Sequence, residues 1–229
     1  VSVDRTLLRE LPLFCRLDEA ELAQVMRHAL ATDAPRGTRI FAQGDVADRF
    51  YLLLRGWLKV SQVTPDGQQI LVRIVNPGDL FGFARALNRP DYPGTARAVV
   101  DSLVIGWPMA DWPLVVEASP TVAASAMRTL GQRLDEAHTR LRELSTEEVE
   151  RRIAHTVLRL ADRAGRAEQG GIRVDFPISR QDVAQLSGTT LHTASRVLSG
   201  WESRGWVASG RQRLTVTDRR ALARLADPD

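Results

Sequence analysis

An α+β fold is predicted from three features of the chain. Short β-favouring runs divided by turn signals fill Thr38 to about Pro108. A single long helix with a heptad pattern follows from Pro120. The last third then runs helix, strand, two helices and a hairpin. With 229 residues the chain is long enough for two compact domains, each with its own core.

In order, residues from about 6 to 30 read as helix, with Leu17-Asp18 leading into EAELAQVMRHAL. The β runs are RIFA, FYLLLRG, LKVSQV, ILVRIV, ARAVV and SLVIGW. Between them stand Gly44-Asp45, Gly56, Pro65-Asp66-Gly67, Pro77-Gly78-Asp79 and Pro93-Gly94. Strands this short and this evenly spaced argue for a closed or sandwiched antiparallel unit. Ser119 is expected to cap the long helix, with Pro120 at its first position. Its apolar residues Ala123, Met127, Leu130, Leu134, Ala137, Leu141 and Leu144 alternate steps of four and three. That seam suits a two-helix dimer; a helix lying on its own β domain would use it too. Ser145 with Glu148 has a capping-box pattern, so a new helix is expected there, running to about Gly165 with Val149, Ile153, Val157 and Leu160 on one face. RAEQGG reads as a polar turn and GIRVDF as a short strand. A second hairpin, WVASGRQRLTV, is expected to turn at Ser209-Gly210 before a closing helix from Asp218. This is a winged helix-turn-helix order.

Composition narrows the function. Hydrophobic residues make up 44% and charged residues 26%, as in a soluble globular protein. There is no run of eighteen apolar residues and no secretory h-region at VSVDRTLLRE. A cytoplasmic protein with no membrane partner is expected. Cys15 alone excludes an internal disulfide and any cluster held by several thiolates of this chain. The net charge of +3 is carried almost wholly by arginine, Lys59 being the single lysine. Arginine suits phosphate and guanine recognition, although a coding bias would give the same composition.

The stretch SRQDVAQLSGTTLHTASRVLSGW carries the function. Ser179 can cap a helix ending near Ser187, and Gly188 supplies the left-handed turn. Thr189 or Thr190 can cap the next helix. There Ala194, Val197, Leu198 and Trp201 share an inward face, while His192, Ser195, Arg196 and Ser199 share the outer one. Such a face enters the major groove of DNA, and Arg196 can bind guanine O6 and N7 together. Base reading is expected from His192, Ser195 and Arg196. Backbone or nearby contacts are expected from Ser179, Arg180, Gln181, Thr189, Thr190, Thr193, Ser199, Arg211 and Arg213. Between 176 and 213 five arginines face only Asp182 and Glu202, a surplus that can neutralise phosphates.

The chain resembles the Crp/Fnr family of transcription regulators over nearly its whole length. The likeness rests on IFAQGDVADRFYLLLRG and PGDLFGF, on the heptads, and on FPISRQDVAQLSGTTLHTASRVLSGWESRGWV. It is most similar to the nitrogen-oxide-responsive, NnrR- and Dnr-like branch through EAHTRLRELSTEEVERRIAHTVLRL and GTTLHTASR. The resemblance implies an antiparallel β-roll like a cyclic-nucleotide-binding jelly roll, which with flanking helices forms an effector or sensor domain over 1–118. It further implies a dimerisation helix over 119–145 and a winged helix-turn-helix DNA-binding domain over 146–229. A homodimer on a palindromic site of double-stranded DNA is implied, with RNA polymerase as a further partner if the protein activates. The effector pocket would fall at Phe81, Gly82, Phe83, Gly94, Thr95 and Ala96.

Several residues depart from the family pattern. Cyclic-nucleotide members carry Gly-Glu and Arg-Ser or Arg-Thr where this chain has Gly82-Phe83 and Gly94-Thr95. Both charged anchors are missing, so cAMP binding is expected to be weak or absent. An iron–sulfur cluster needing four cysteines is not expected. For haem, His138 beside the seam is the candidate ligand, although the residues favour reading it as a polar flank of a coiled coil; His28 and His155 sit in helices, where packing or solvent exposure explains them. The residues alone leave the effector unknown. His192 stands where many members have Glu, which changes the hydrogen bonds offered to the neighbouring base. An enzyme is not expected: the β-roll resembles metal-dependent jelly rolls, but residues 38–108 contain no His, and no nucleophile elbow, P-loop or HExxH occurs. The alternative is a β-roll ligand sensor or scaffold without DNA binding.

Overall fold

The computed structural model describes residues 8, 9 and 11–227. The chain forms two compact units that divide between Leu134 and Asp135. Helix α1 (Glu19–Met26) is opened by an Asp18–Glu21 capping box and buries Leu22 and Val25. It is much shorter than the expected 6–30 helix, of which residues 6, 7 and 10 lie outside the described residues. Leu30–Ala34 is strand β1, paired antiparallel with Ser102–Gly106. Its LATDA sequence has no strand preference of its own. Pairing with a distant stretch of the chain decides its state, burying Ala31 and Ala34.

The other strands of the first unit are β2 (Arg39–Phe41), β3 (Arg49–Arg55), β4 (Leu58–Val63), β5 (Gln69–Val75), β6 (Leu80–Phe81), β7 (Thr95–Ala98) and β8 (Ser102–Pro108). They form two antiparallel four-stranded sheets, ordered β1-β8-β3-β6 and β2-β7-β4-β5. The continuous apolar run of β3 follows from burial on both faces. Phe50 and Leu52 enter a core with Trp107, Val115 and Val122. Leu53 enters a second core with Phe41, Phe81, Tyr92 and Val104, and Tyr51 packs against it. Alternation of period two therefore sorts one strand into two cores. Helix α2 (Trp112–Ala118) follows β8 and buries Val115.

Helix α3 (Pro120–Thr146) has 27 residues and spans about 40 Å. Ser119 immediately precedes it and Pro120 is its first residue, as expected. The fully buried Ser119 hydroxyl lies 2.7 Å from Thr121 Oγ1 and 3.4 Å from the Leu13 carbonyl. The expected break at Ser145 is absent. Ser145 Oγ donates to the Leu141 carbonyl at 2.8 Å, and Thr146 Oγ1 to the Arg142 carbonyl at 2.9 Å. Bonding back to the preceding turn lets both residues finish α3 rather than open a new helix.

The second unit continues with α4 (Val149–Ala164), β9 (Gly165–Glu168), β10 (Gly171–Val174), α5 (Arg180–Ser187), α6 (Leu191–Ser203), β11 (Val207–Gly210), β12 (Arg213–Val216) and α7 (Arg219–Ala226). Helix α4 buries Ile153, Val157 and Leu160 as its periodicity predicts. RAE is not a turn but part of β9, paired with β10, and the sheet order is β11-β12-β10-β9. The β11–β12 hairpin turns at Arg211-Gln212, not at Ser209-Gly210, because Gly210 pairs with Arg213. Gln212, the second residue of this turn, takes a left-handed φ of 59°.

Candidate nucleic-acid interface

Local signals build the helix pair. Ser179 Oγ accepts the Asp182 N–H at 3.1 Å while the Asp182 carboxylate accepts the Ser179 N–H at 2.7 Å, a reciprocal cap that opens α5. Gly188 ends it at φ 64°, ψ 44°. That left-handed conformation favours glycine, and a Cβ at this position would also lie 2.5 Å from Leu144 Cδ2, so the leucine would have to move aside. Of the two expected caps for α6 it is Thr190 that acts, accepting the Thr193 N–H at 3.2 Å.

Helix α6 divides into two faces. Ala194, Leu198 and Trp201 are buried, and Val197 half-buried, as expected. Trp201 is wholly enclosed, and its indole N–H donates to Glu150 of α4 at 2.9 Å. His192, Arg196 and Ser199 are exposed and Ser195 is half-buried. Gln181, Thr190, Arg211 and Arg213 are exposed; Ser179, Thr189 and Thr193 are half-buried. Arg211 occupies the hairpin tip and Arg213 opens β12. These polar and basic groups thus share the second unit's helix-turn-helix and hairpin.

Two features of this region lay outside the sequence reading. Leu191, the first residue of α6, is a large apolar side chain left 47% exposed beside His192. Arg180, expected at phosphates, has its guanidinium engaged inside the domain. It donates to Ser199 Oγ at 2.9 Å, Glu202 at 2.8 Å, Ser209 Oγ at 3.0 Å and the Ser195 carbonyl at 3.3 Å. Glu202 also accepts the Ser209 N–H at 2.9 Å, so these groups join α5, α6 and β11. Burial pushes the Glu202 carboxyl up, but hydrogen bonds from Ser209 and the Arg180 charge outweigh it and hold it below the usual carboxylate range.

The expected effector residues fall in different packing environments. Phe81 and Ala96 belong to the core between the sheets, which Phe41 and Tyr92 fill by stacking at 3.9 Å. Tyr92 also donates to the Arg49 carbonyl at 2.7 Å, and burial raises its hydroxyl pKa. Gly82 adopts φ 74°, and a Cβ on it would meet Tyr51 at 2.8 Å. Phe83 enters the other core, stacked near Trp112 at 6.1 Å with the Arg133 guanidinium 5.1 Å from its ring. A Cβ at Gly94 would lie 2.8 Å from the Ser61 carbonyl oxygen, and Thr95 Oγ1 accepts the Gln43 N–H at 3.0 Å. His138 is exposed on α3. His28 pairs with Asp111 at 2.9 Å and His155 with Glu147 at 3.4 Å.

On the seam, Ala137 is exposed, as are Met127 (73%), Leu134 (56%), Leu141 (64%) and Leu144 (51%). Ala123 is half-buried, and Leu130 is partly buried against the first unit's core. Among the described residues no helix is long and apolar enough to cross a membrane.

Comparison with known proteins agrees with this arrangement. Residues 32–117 match the cyclic nucleotide-binding domain family, and residues 151–225 the Crp-like helix-turn-helix domain family. The transcriptional regulator LdrP of Thermus thermophilus is 31% identical over 194 residues, covering 83% of this chain and 94% of the relative. The CRP-like cAMP-activated global transcriptional regulator of Mycobacterium tuberculosis is 27% identical over 214 residues, 93% of this chain and 96% of that one. The crystal structure of a CRP-family transcriptional regulator from Thermus thermophilus superposes with a TM-score of 0.72 at 29% identity, covering 85% of this chain and 96% of that one.

Proposed function

The chain belongs to the Crp/Fnr family of DNA-binding transcription regulators, and from that premise we propose that it works as a homodimer on a palindromic DNA site. One observation carries the DNA-reading part. Helix α6 buries Ala194, Leu198 and Trp201 and exposes His192 and Arg196, with Ser195 half-buried beside them, behind a cap at Thr190. Arg196 would take a guanine through O6 and N7, and His192 would donate to or accept from the neighbouring base. Leu191 supplies an apolar group suited to a thymine methyl. Arg211 and Arg213 would meet the phosphate backbone on the flank. The dimer is supported by the heptad along α3, whose exposed apolar residues would be covered by the same residues of a second copy. An activator would in addition contact RNA polymerase.

The cAMP named for the mycobacterial relative is not carried over to this chain. An arginine anchor at Gly94 would drive its Cβ into the Ser61 carbonyl, and Phe83 offers a buried ring where a ribose hydroxyl needs an acceptor. The likeness of EAHTRLRELSTEEVERRIAHTVLRL and GTTLHTASR to the nitrogen-oxide-responsive branch makes a nitrogen oxide the effector to test first. If haem is the sensor, His138 is the residue to hold it, and protein purified with haem supplied should then show a Soret band that His138→Ala abolishes. The DNA reading is tested by selecting preferred sites from random DNA and titrating them in rising salt. A selected palindrome whose affinity falls steeply with salt is expected. Selection of no sequence at any salt would leave a sensor or scaffold without DNA binding.

A further inference from the structure

The turn between α5 and α6 sets where the reading helix begins, and a single side chain ties that turn to the end of α3. Arg152, on the first turn of α4, spreads its guanidinium over three main-chain carbonyls. Nη1 donates to Glu147 at the α3–α4 junction at 2.8 Å, Nε to Ser187 at 3.2 Å, and Nη2 to Gly188 at 3.4 Å. Ser187 and Gly188 close α5, where the carbonyls at a helix end carry the negative end of the helix dipole. All three acceptors are backbone atoms, so the contact reads chain position rather than side-chain identity. A second link runs beside it, since Leu144 of α3 fills the space that a Cβ on Gly188 would take.

The end of α3 is itself held to α4 by charge. Glu136 pairs with Arg163 at 2.6 Å and Glu143 with Arg159, and at the junction Glu147 Oε2 lies 3.4 Å from His155 Nε2, all in antiparallel order. Glu143 is only 3% exposed, so its pair with Arg159 is shielded from solvent on one side. Ala137, Leu141 and Leu144 of the seam lie on the same stretch of α3 as these acidic residues. The two arginine pairs and the Arg152 fork thus join the seam's end, α4 and the α5–α6 turn in one chain of contacts.

We propose that Arg152 is a positioning residue for DNA recognition, fixing the reading helix relative to the end of the seam and thereby setting the spacing between half-sites that the protein accepts. This rests on the dimeric, DNA-reading function proposed above. Lysine cannot replace it, because a single ammonium cannot reach three carbonyls that a planar fork spans.

The test uses the full chain and a series of palindromes built from the selected half-site, with the central spacer lengthened or shortened one base pair at a time. A lone half-site completes the series. The wild type should show one sharp spacing optimum. Arg152→Gln and Arg152→Lys should each lose about tenfold at that optimum, the scale expected for charge-assisted hydrogen bonds. They should lose far less at neighbouring spacings and little on the lone half-site, flattening the profile. Variants that keep the wild-type profile would overturn the proposal. So would an equal loss on palindromes and half-site, which marks Arg152 as structural only. A wild type that reads the half-site but shows no spacing optimum would instead remove the dimer reading beneath it.

Discussion

Gly188→Ala isolates what the turn requires. The position sits at φ 64°, ψ 44°, and a residue with a Cβ pays about 1–2 kcal/mol to hold the left-handed conformation. The new methyl would also stand 2.5 Å from Leu144 Cδ2, well inside contact distance. Leu144 is 51% exposed, so its side chain can swing away at a cost of about 1 kcal/mol in lost contact and rotamer strain. The expected destabilisation of the helix-turn-helix is thus about 2–3 kcal/mol, more than half of it in the backbone. Amide hydrogen exchange along α5 and α6 under native conditions reads this locally, without assuming that both units unfold together. The double change Leu144→Ala, Gly188→Ala removes the overlap and should leave the backbone part. Gly188→Asn should cost less than Gly188→Ala in backbone strain, since asparagine tolerates this region. Wild-type exchange rates in Gly188→Ala would refute the reasoning, because neither strain nor overlap could then be present.

Two further outcomes follow from the same unit. Trp201→Ala empties a fully enclosed site between α6 and α4 and should destabilise the unit by about 3–5 kcal/mol in the same exchange measurement. Trp201→Phe keeps most of the volume and should cost much less, so equal losses would contradict the packing role. The lowered pKa of Glu202 gives a signed pH dependence. Its folded value lies below its unfolded one, so the stability it contributes is present above the ordinary carboxylate range, about pH 4, and lost as pH falls through the folded value. The Ser209 amide proton, which donates to Glu202 at 2.9 Å, should shift in NMR spectra over that acid range and stay flat in Glu202→Gln. The same titration in the Gln variant would assign the shift to another group.

What the sequence made legible was local in origin. Ser179, Gly188 and Thr190 act within a few residues of themselves, and their types alone place the two helices. The heptad of α3 and the inward face of α6 are likewise periodic signals. The failures mostly have partners distant in the chain. Leu30–Ala34 becomes a strand only because Ser102–Gly106 lies beside it. The packing of Phe83 beside Trp112 and the Arg133 guanidinium depends on residues far along the chain, which no motif at Gly82-Phe83 announces. Arg180 reads as a basic residue for phosphate, and no spacing announces that it, like Arg152, is bound to several groups of its own domain. Ser145 is the local exception: it has the spacing of a cap, and the carbonyl of Leu141 outcompetes it. Leu191 could have been found, since a leucine directly after a threonine cap occupies the outer start of a reading helix.

The central claim, that the outer face of α6 reads base edges, is tested most directly at one hydrogen bond. In the selected site each guanine is replaced in turn by 7-deazaguanine, which lacks the N7 acceptor, and binding is compared for the wild type and Arg196→Ala. Arg196→Ala should cost about 1–3 kcal/mol on the natural site. At one guanine per half-site the deaza base should weaken the wild type and leave the Arg196→Ala variant unaffected, so that the two losses are not additive. Equal affinity of both proteins for the natural site, or fully additive losses at every guanine, would contradict the account.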